Sequence, residues 1–152
     1  MAILLVDEPF DGPVAAALIE EVQQEYVVRY GGQDEAPVDA AEFAAWRGGA
    51  FLVACADGVA VGCVGVRRHD ATVAEIKRMY VRAAHRRNGV GRVLLRAAEE
   101  RAGALGYTRV LLETGDQQPE AIALYTADGY RPLTGFGHYH AHPGSRAFAK
   151  DL

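Results

Sequence analysis

The feature that most restricts the fold is a glycine loop between a strand-like run and a helix-like run. Residues 72–82 alternate apolar and polar side chains, residues 90–105 have helical periodicity, and between them lies the segment Arg86-Arg87-Asn88-Gly89-Val90-Gly91-Arg92. A chain that passes from a strand into a helix through two glycines leaves the first backbone N–H groups of the helix without partners. Those groups and the helix dipole together favour a phosphate. The sequence therefore predicts a pyrophosphate-binding loop at residues 87–92.

The charge distribution supports an anion site around this loop. The formal net charge is −4, yet residues 76–98 contain no Asp or Glu and seven basic residues. The rest of the chain holds nine basic and twenty acidic residues, a formal charge of −11. A positive block around a glycine loop predicts a focused anion-binding site. The net charge, in contrast, argues against general nucleic-acid binding.

The length and the apolar content predict one domain that spans residues 1–152. Of the 152 residues, 50% are hydrophobic and 24% are charged, which is the balance of a globular protein with a single core. No apolar run approaches the roughly 20 residues that a membrane-spanning helix needs, so we expect no membrane partner. The N-terminal residues lack a basic segment, and both cysteines lie in apolar runs. These features predict a cytoplasmic protein with reduced thiols.

Apolar periodicity and turn residues predict an α/β order of elements. Before the glycine loop we expect a strand at 3–6, helices at 11–30 and 39–46, a hairpin of strands at 50–56 and 59–67, and a strand at 72–82. After it we expect a helix at 90–105 that buries Val93, Leu94 and Ala97, a strand at 109–113, a helix at 121–127, and strands at 130–133 and 146–152. The apolar final strand is a candidate sheet edge for a homodimer.

This order, with Arg86-x-x-Gly89-x-Gly91 after the fourth strand, resembles the GNAT superfamily of acyl-CoA-dependent N-acetyltransferases. Residues 76–81 precede the loop as that family's fourth strand does. The segment Ala121-Ile-Ala-Leu-Tyr125, followed by Gly129-Tyr130, resembles the helix that closes the family's cofactor site. The resemblance implies a mixed, mostly antiparallel central sheet of six or seven strands. It also implies about four flanking helices and a splay between the fourth and fifth strands.

The resemblance implies acetyl-CoA as the acyl donor. The backbone of residues 87–92 would bind the pyrophosphate, and the exposed backbone of residues 79–81 would pair with the pantetheine arm. Gln118 stands where the family often has an asparagine that contacts the cofactor. The predicted cofactor contacts are Met79, Tyr80, Val81, Arg86, Arg87, Asn88, Gly89, Val90, Gly91, Arg92, Gln118 and Tyr125.

The resemblance further implies that a primary amine attacks the thioester directly in a ternary complex. An alkylamine has a pKa of about 10.4, so its ammonium form must lose a proton before attack. Glu75 and Glu113 are alternative candidates for the base. The N–H of Val81 is the candidate donor to the tetrahedral oxyanion, and Tyr125 is the candidate acid for the departing thiolate.

The acceptor site is the least defined part of the prediction. The resemblance places it between the first helices and the late loop, where the candidates are Tyr26, Tyr30, Phe136, His138 and Tyr139. We expect a small-molecule or peptide amine as the acceptor, and the acidic surface favours a cationic one. His138, His140 and His142 recur at strand spacing, but no fourth ligand follows them, so we expect no metal site.

Three other interpretations compete with that of an acetyltransferase. A nucleotide-binding Rossmann domain would need a third glycine at the position of Leu94, and its loop would follow the first strand. A P-loop would need a Gly-Lys-Ser/Thr sequence, which the loop lacks. A GNAT-like module that binds acyl-CoA as a sensor, with little turnover, stays open as the alternative function. Tyr125 and the intact glycines favour the enzyme.

Overall fold

The computed structural model describes residues 2–152, which form one seven-stranded sheet flanked by three α-helices. In chain order the elements are β1 (Ile3–Asp7), α1 (Pro13–Tyr30), β2 (Ala50–Ala56), β3 (Val59–Arg68), β4 (Val73–Val81), α2 (Val90–Ala104), β5 (Arg109–Gly115), α3 (Pro119–Ala127), β6 (Arg131–Leu133) and β7 (Ser145–Asp151). Short 3₁₀ turns occur at Ala40–Phe43, Ala45–Arg47 and Ala83–His85. None of the helices within this part of the chain has the length and apolarity needed to cross a membrane.

The sheet is mixed and mostly antiparallel, as predicted. Its strand order is β1-β2-β3-β4-β5-β7-β6, and β4 and β5 form its one parallel pair among the described strands. These two strands pair over only four positions, from Val73 opposite Arg109 to Ile76 opposite Leu112. Beyond Ile76, β4 continues without β5, while β5 continues alongside β7. The predicted splay between the fourth and fifth strands is therefore confirmed.

A β-bulge in β4 marks the start of this splay. Lys77 lies opposite Gly65 and Tyr80 opposite Cys63, so three steps along β4 correspond to two along β3. Arg78, inside the bulge, has a φ of +58°. The Cys63 thiol donates to its carbonyl oxygen over 3.3 Å. A bulge bends its strand and increases the local twist, which accounts for the divergence of β4 from β5.

Each face of the sheet carries its own core. On one face α2 and α3 cover a cluster that includes the fully buried Leu94 and Leu95. On the other face α1 and the first 3₁₀ turn contribute Leu18 and Phe43 to a smaller cluster. Burying each such side chain stabilises the fold by about 1.5–3 kcal/mol. The exposed Val93 was wrongly predicted to be buried, because α2 instead buries the face formed by Val90, Leu94, Leu95, Ala98 and Ala102.

Two other expectations are wrong. The helix predicted at residues 39–46 consists of two 3₁₀ turns separated by Ala44, whose extended dihedrals interrupt helical hydrogen bonding, so there are three α-helices and not four. Asp39 does cap the first turn, accepting a hydrogen bond from the N–H of Ala41 at 3.1 Å. The final strand is not an edge, because β7 pairs with both β5 and β6. The edges are β1 and β6, so the proposed route to a homodimer through β7 has no basis in this sheet.

Candidate active site

The glycine loop leaves a row of backbone donors without acceptors at the start of α2. None of the amide N–H groups of residues 87–92 donates a hydrogen bond to another described residue, and the first helical bond runs from Val93 N to Gly89 O over 3.1 Å. Arg87 and Gly89 have φ values of +67° and +80°. Left-handed residues within such a turn direct neighbouring N–H groups toward one concavity, which is a geometry that binds anions. The loop therefore has the form that a phosphate requires.

A cleft of about 790 Å³ adjoins this loop, between the end of β4, α1 and α3. Most of the predicted cofactor contacts line it: Met79, Tyr80, Val81, Arg86, Arg87, Gly89, Gly91, Arg92, Gln118 and Tyr125. Two predicted contacts do not. The Val90 side chain is buried in the core, and Asn88 is exposed beside the loop. Val90 can therefore offer a ligand only its backbone.

Ion pairs link three elements around this cleft. Glu25 of α1 lies 2.7 Å from Arg86 and 3.4 Å from Arg29, and Arg29 lies 2.9 Å from Glu120 at the start of α3. The Arg86 Nε also donates to the carbonyl oxygen of Val81 over 2.8 Å. These contacts hold α1 across the open end of the splay. They also hold the Arg86 guanidinium beside the unpaired end of β4.

Tyr125 presents a protonated hydroxyl to the cleft. The residue is 6% exposed, and its ring packs against the rings of Tyr130 and Phe148 at 5.7 and 6.1 Å between centroids. Its hydroxyl makes no hydrogen bond with any residue from 2 to 152. Burial raises the pKa of Tyr125 to about 12. The phenol is therefore a free donor at neutral pH.

A second cavity, of about 280 Å³, lies between α1, the start of the splay and the loop before β7. Gln118 at the N-terminus of α3 lines both this cavity and the cleft, so the two spaces adjoin. Of the predicted acceptor contacts, the structure brings Tyr26, Tyr30 and Tyr139 together here. Phe136 and His138 do not line the cavity. Phe136 packs edge-on against His69, and His138 packs edge-on against the ring of Tyr139.

The two candidate bases lie in different surroundings. Glu113 lines the second cavity, and its Oε2 accepts hydrogen bonds from Tyr139 N at 3.0 Å and from Ser145 Oγ at 3.1 Å. Glu75 is 7% exposed, its Oε1 accepts from Arg67 Nε at 2.8 Å, and it lines neither space. The structure therefore brings Glu113, and not Glu75, beside the aromatic side chains.

A buried cluster of charges forms one wall of the second cavity. Lys77 Nζ lies 3.3 Å from Asp34 Oδ2, the Arg78 guanidinium contacts the same oxygen, and Tyr139 donates to Asp34 Oδ1 over 2.9 Å. Burial favours a raised pKa at Asp34, but the charges of Lys77 and Arg78 outweigh it and hold the pKa below its usual value. Asp34 is therefore ionised at neutral pH and organises the wall.

Comparison with known proteins identifies the family to which this geometry belongs. The family model described as "Acetyltransferase (GNAT) family" matches residues 16–130. The chain belongs to the GNAT acetyltransferase family. It is 39% identical over 103 residues to an IAA acetyltransferase of Azospirillum brasilense, covering 67% of each chain. It is 36% identical over 90 residues to human N-acetyltransferase 8, covering 56% of this chain and 40% of that relative.

Solved structures show the same fold for this GNAT acetyltransferase. The PaiA N-acetyltransferase from Thermoplasma acidophilum, solved in complex with coenzyme A, has a TM-score of 0.76 and 17% sequence identity, and 100% of both chains is covered. The chain is thus an acyltransferase by family, and the resemblance inferred from the glycine loop and from residues 121–130 is confirmed.

Several residues of this GNAT site carry no local sequence signal. Lys77 stands within the basic block around the loop, and Asp34 lies in a polar segment after α1. Nothing in the sequence separates Lys77 from the basic residues that do surround the loop. His138, His140 and His142 lie in turns and not on a strand. No group of three or more potential metal ligands occurs within residues 2–152.

Proposed function

We propose that this GNAT acetyltransferase moves an acetyl group from acetyl-CoA to a primary amine by direct attack in a ternary complex. The observation that carries the proposal is the run of unpaired N–H groups at residues 87–92, at the mouth of a cleft that adjoins a second cavity at Gln118. A phosphate-binding loop fixes one end of a long donor, and an adjoining cavity receives a separate acceptor.

The donor is expected to lie along the unpaired end of β4. Its pyrophosphate would accept hydrogen bonds from residues 87–92, and its pantetheine arm would follow residues 79–81, which have no β5 partner. The fold neighbour solved with coenzyme A supports this ligand class. The phenol of Tyr125 would then lie beside the thioester sulfur.

Transfer requires three events, each with a candidate group. The acceptor ammonium gives its proton to Glu113, directly or through water; the Oε1 of Glu113 makes no hydrogen bond within the described chain. The amine nitrogen forms a bond to the acetyl carbon, and the N–H of Val81 stabilises the oxyanion. The C–S bond then breaks as the carbonyl re-forms, the Tyr125 hydroxyl donates a hydrogen bond to the departing thiolate, and the second proton of the former amine passes through water to that thiolate to give the free thiol. Glu75 could replace Glu113 only by giving up its ion pair with Arg67.

Calorimetric titration of acetyl-CoA tests the donor site. We expect micromolar binding to the wild type and none to Gly89→Glu, because a carboxylate placed in the loop repels the pyrophosphate. Gly58→Glu is a matched control. Gly58 and Gly89 have φ values of +78° and +80° and open space where a Cβ would stand, but Gly58 lies in the β2–β3 turn. The donor site would be refuted if acetyl-CoA did not bind to the wild type, or if both variants lost affinity for acetyl-CoA equally.

A thiol-release assay over a panel of amines tests transfer. Release of free coenzyme A that depends on an added amine is the expected result. Tight binding of acetyl-CoA with no release for any amine would favour the alternative function, an acyl-CoA sensor.

A further inference from the structure

Two buried cations at the β4 bulge share one carboxylate. Lys77 and Arg78 are 8% and 7% exposed, and both contact the same oxygen of Asp34. Among the described residues no other carboxylate lies within 4 Å of either cation. A buried charge is costly unless it is paired. The cluster therefore retains one positive charge that no residue of the chain described here neutralises.

The unpaired charge faces the second cavity through Lys77. Arg78 is held against Asp34 and does not line the cavity, whereas Lys77 does. An ammonium has three donors, and Asp34 occupies at most one of them. Tyr26 lines the same cavity, and its hydroxyl has no hydrogen-bond partner between residues 2 and 152. Burial first, and then the charge of Asp34, raises the pKa of Tyr26, so its hydroxyl also stays a donor. This wall offers two kinds of donor to an anion.

The opposite wall carries a negative charge. Pairing between β4 and β5 ends at Ile76 and Leu112, so Lys77 and Glu113 are the next residues on the diverging strands and project from the same face. They form no ion pair within 4 Å, although both line the cavity. The cavity is therefore positive along β4 and negative along β5. A ligand with one charged group of each sign would complement both edges.

We propose that the acceptor is an amino acid or a similar zwitterion, whose carboxylate is bound by Lys77 and whose amine lies toward Glu113. This proposal rests on the proposed function and names its substrate class. A carboxylate at Lys77 would bring the cluster to two cations and two anions. An amine without a carboxylate would meet Glu113 in the same way but would leave the excess charge at Lys77 without a partner. The acidic outer surface still attracts amines, but the pocket selects those that carry an anion.

Equilibrium binding to the protein saturated with coenzyme A tests the proposal without turnover. The probes are amino acids and their decarboxylated amines, such as tryptophan with tryptamine, histidine with histamine, and phenylalanine with phenethylamine. We expect at least one amino acid to bind ten times more tightly than its amine, because a charge-assisted hydrogen bond contributes a factor of about ten or more. Equal or tighter binding of every decarboxylated amine, or no binding by any probe, would overturn the proposal.

Three variants assign the effect to Lys77. Lys77→Met should abolish the preference for the amino acid, and Lys77→Arg should keep it. Lys150→Met removes the same charge on the α2 side of the sheet, where Lys150 pairs with Glu99 at 3.0 Å, and should leave the preference intact. The affinity for coenzyme A reports whether each variant is folded. A preference that survives in Lys77→Met would refute the assignment.

The proposed function and this proposal fail in different ways. If amines without a carboxylate are acetylated better, transfer stands and the zwitterion site is refuted. If amino acids bind selectively but release no thiol, the zwitterion site stands and transfer is refuted.

Discussion

Substitution of Tyr125 by phenylalanine measures how the leaving group is stabilised. An alkyl thiol has a pKa of about 8.5. Burial raises the pKa of Tyr125 to about 12, well above that of the thiol, so full proton transfer from the phenol to the thiolate is unfavourable by several kcal/mol. The hydroxyl therefore acts by donating a hydrogen bond. A hydrogen bond to a charged group contributes about 1.5–3 kcal/mol, which predicts a loss in kcat of about 10- to 100-fold.

The assay combines thiol release under saturating substrates with calorimetry of acetyl-CoA binding. The Kd for acetyl-CoA should be unchanged, and the unfolding free energy should change by less than about 1 kcal/mol, because the lost hydroxyl leaves no partner unpaired. Tyr107→Phe is the matched control. Tyr107 is also buried, but its hydroxyl donates to the carbonyl oxygen of Gly48 over 2.6 Å. That variant should lose about 1–3 kcal/mol of stability and keep its kcat.

Two results would refute this reasoning. A change in kcat below about threefold would show that Tyr125 does not contact the leaving group in the limiting step. A loss near 10⁴-fold, at the upper end of general acid catalysis, would show full proton transfer and hence a phenol far more acidic than its burial implies. The wild type should also show no fall in kcat from this group below about pH 11, since its pKa is about 12.

Three further predictions follow from named contacts. Glu113→Gln should lower kcat by about 100-fold or more, because it removes the proposed base. Glu75→Gln should leave kcat nearly unchanged and lower the free energy of unfolding by about 1–3 kcal/mol, because Glu75 accepts a hydrogen bond from Arg67. The reverse pattern would make Glu75 the base. Leu94→Ala should cost about 2–5 kcal/mol in urea unfolding, because the side chain is fully buried, and a cost below 1 kcal/mol would contradict that burial. Asp34 has a lower pKa in the folded protein than in the unfolded chain, so its charge stabilises the fold fully above the unfolded pKa of about 3.9. This stabilisation is lost as the pH falls through the folded pKa. The free energy of unfolding should therefore differ less between pH 6 and pH 3 in Asp34→Asn than in the wild type.

Sequence patterns predicted those parts of the site in which residues close together in the chain determine the backbone conformation. Gly89 and Gly91 were identifiable because a helix start without side-chain caps leaves backbone N–H groups free to bind an anion. The helix predicted at residues 39–46 was wrong for a reason that the pattern did not contain. A Cβ at Gly49 would overlap the carbonyl oxygen of Glu42, so the chain folds back tightly there and has no room for a regular helix.

The chemistry of the acceptor cavity could not be predicted in the same way. Lys77 and Asp34 are 43 residues apart, and no sequence pattern near either residue predicts their contact. Glu75 and Glu113 are both carboxylates on adjoining strands and on the same face. They differ only in position relative to the point where β4 and β5 diverge, and that point depends on a bulge between β3 and β4. Long-range pairing thus decides which carboxylate reaches the cavity.

The short pairing between β4 and β5 makes a weak junction between the two halves of the sheet. Four residue pairs join the β1–β4 half of the sheet to the other half, whereas seven join β5 to β7. A pantetheine arm bound between the diverging strands would contact both halves of the sheet at positions where β4 and β5 do not pair with each other. The free energy of unfolding would then rise with the logarithm of the cofactor concentration above its Kd, so the folded fraction of the protein would depend on how much of that cofactor is present.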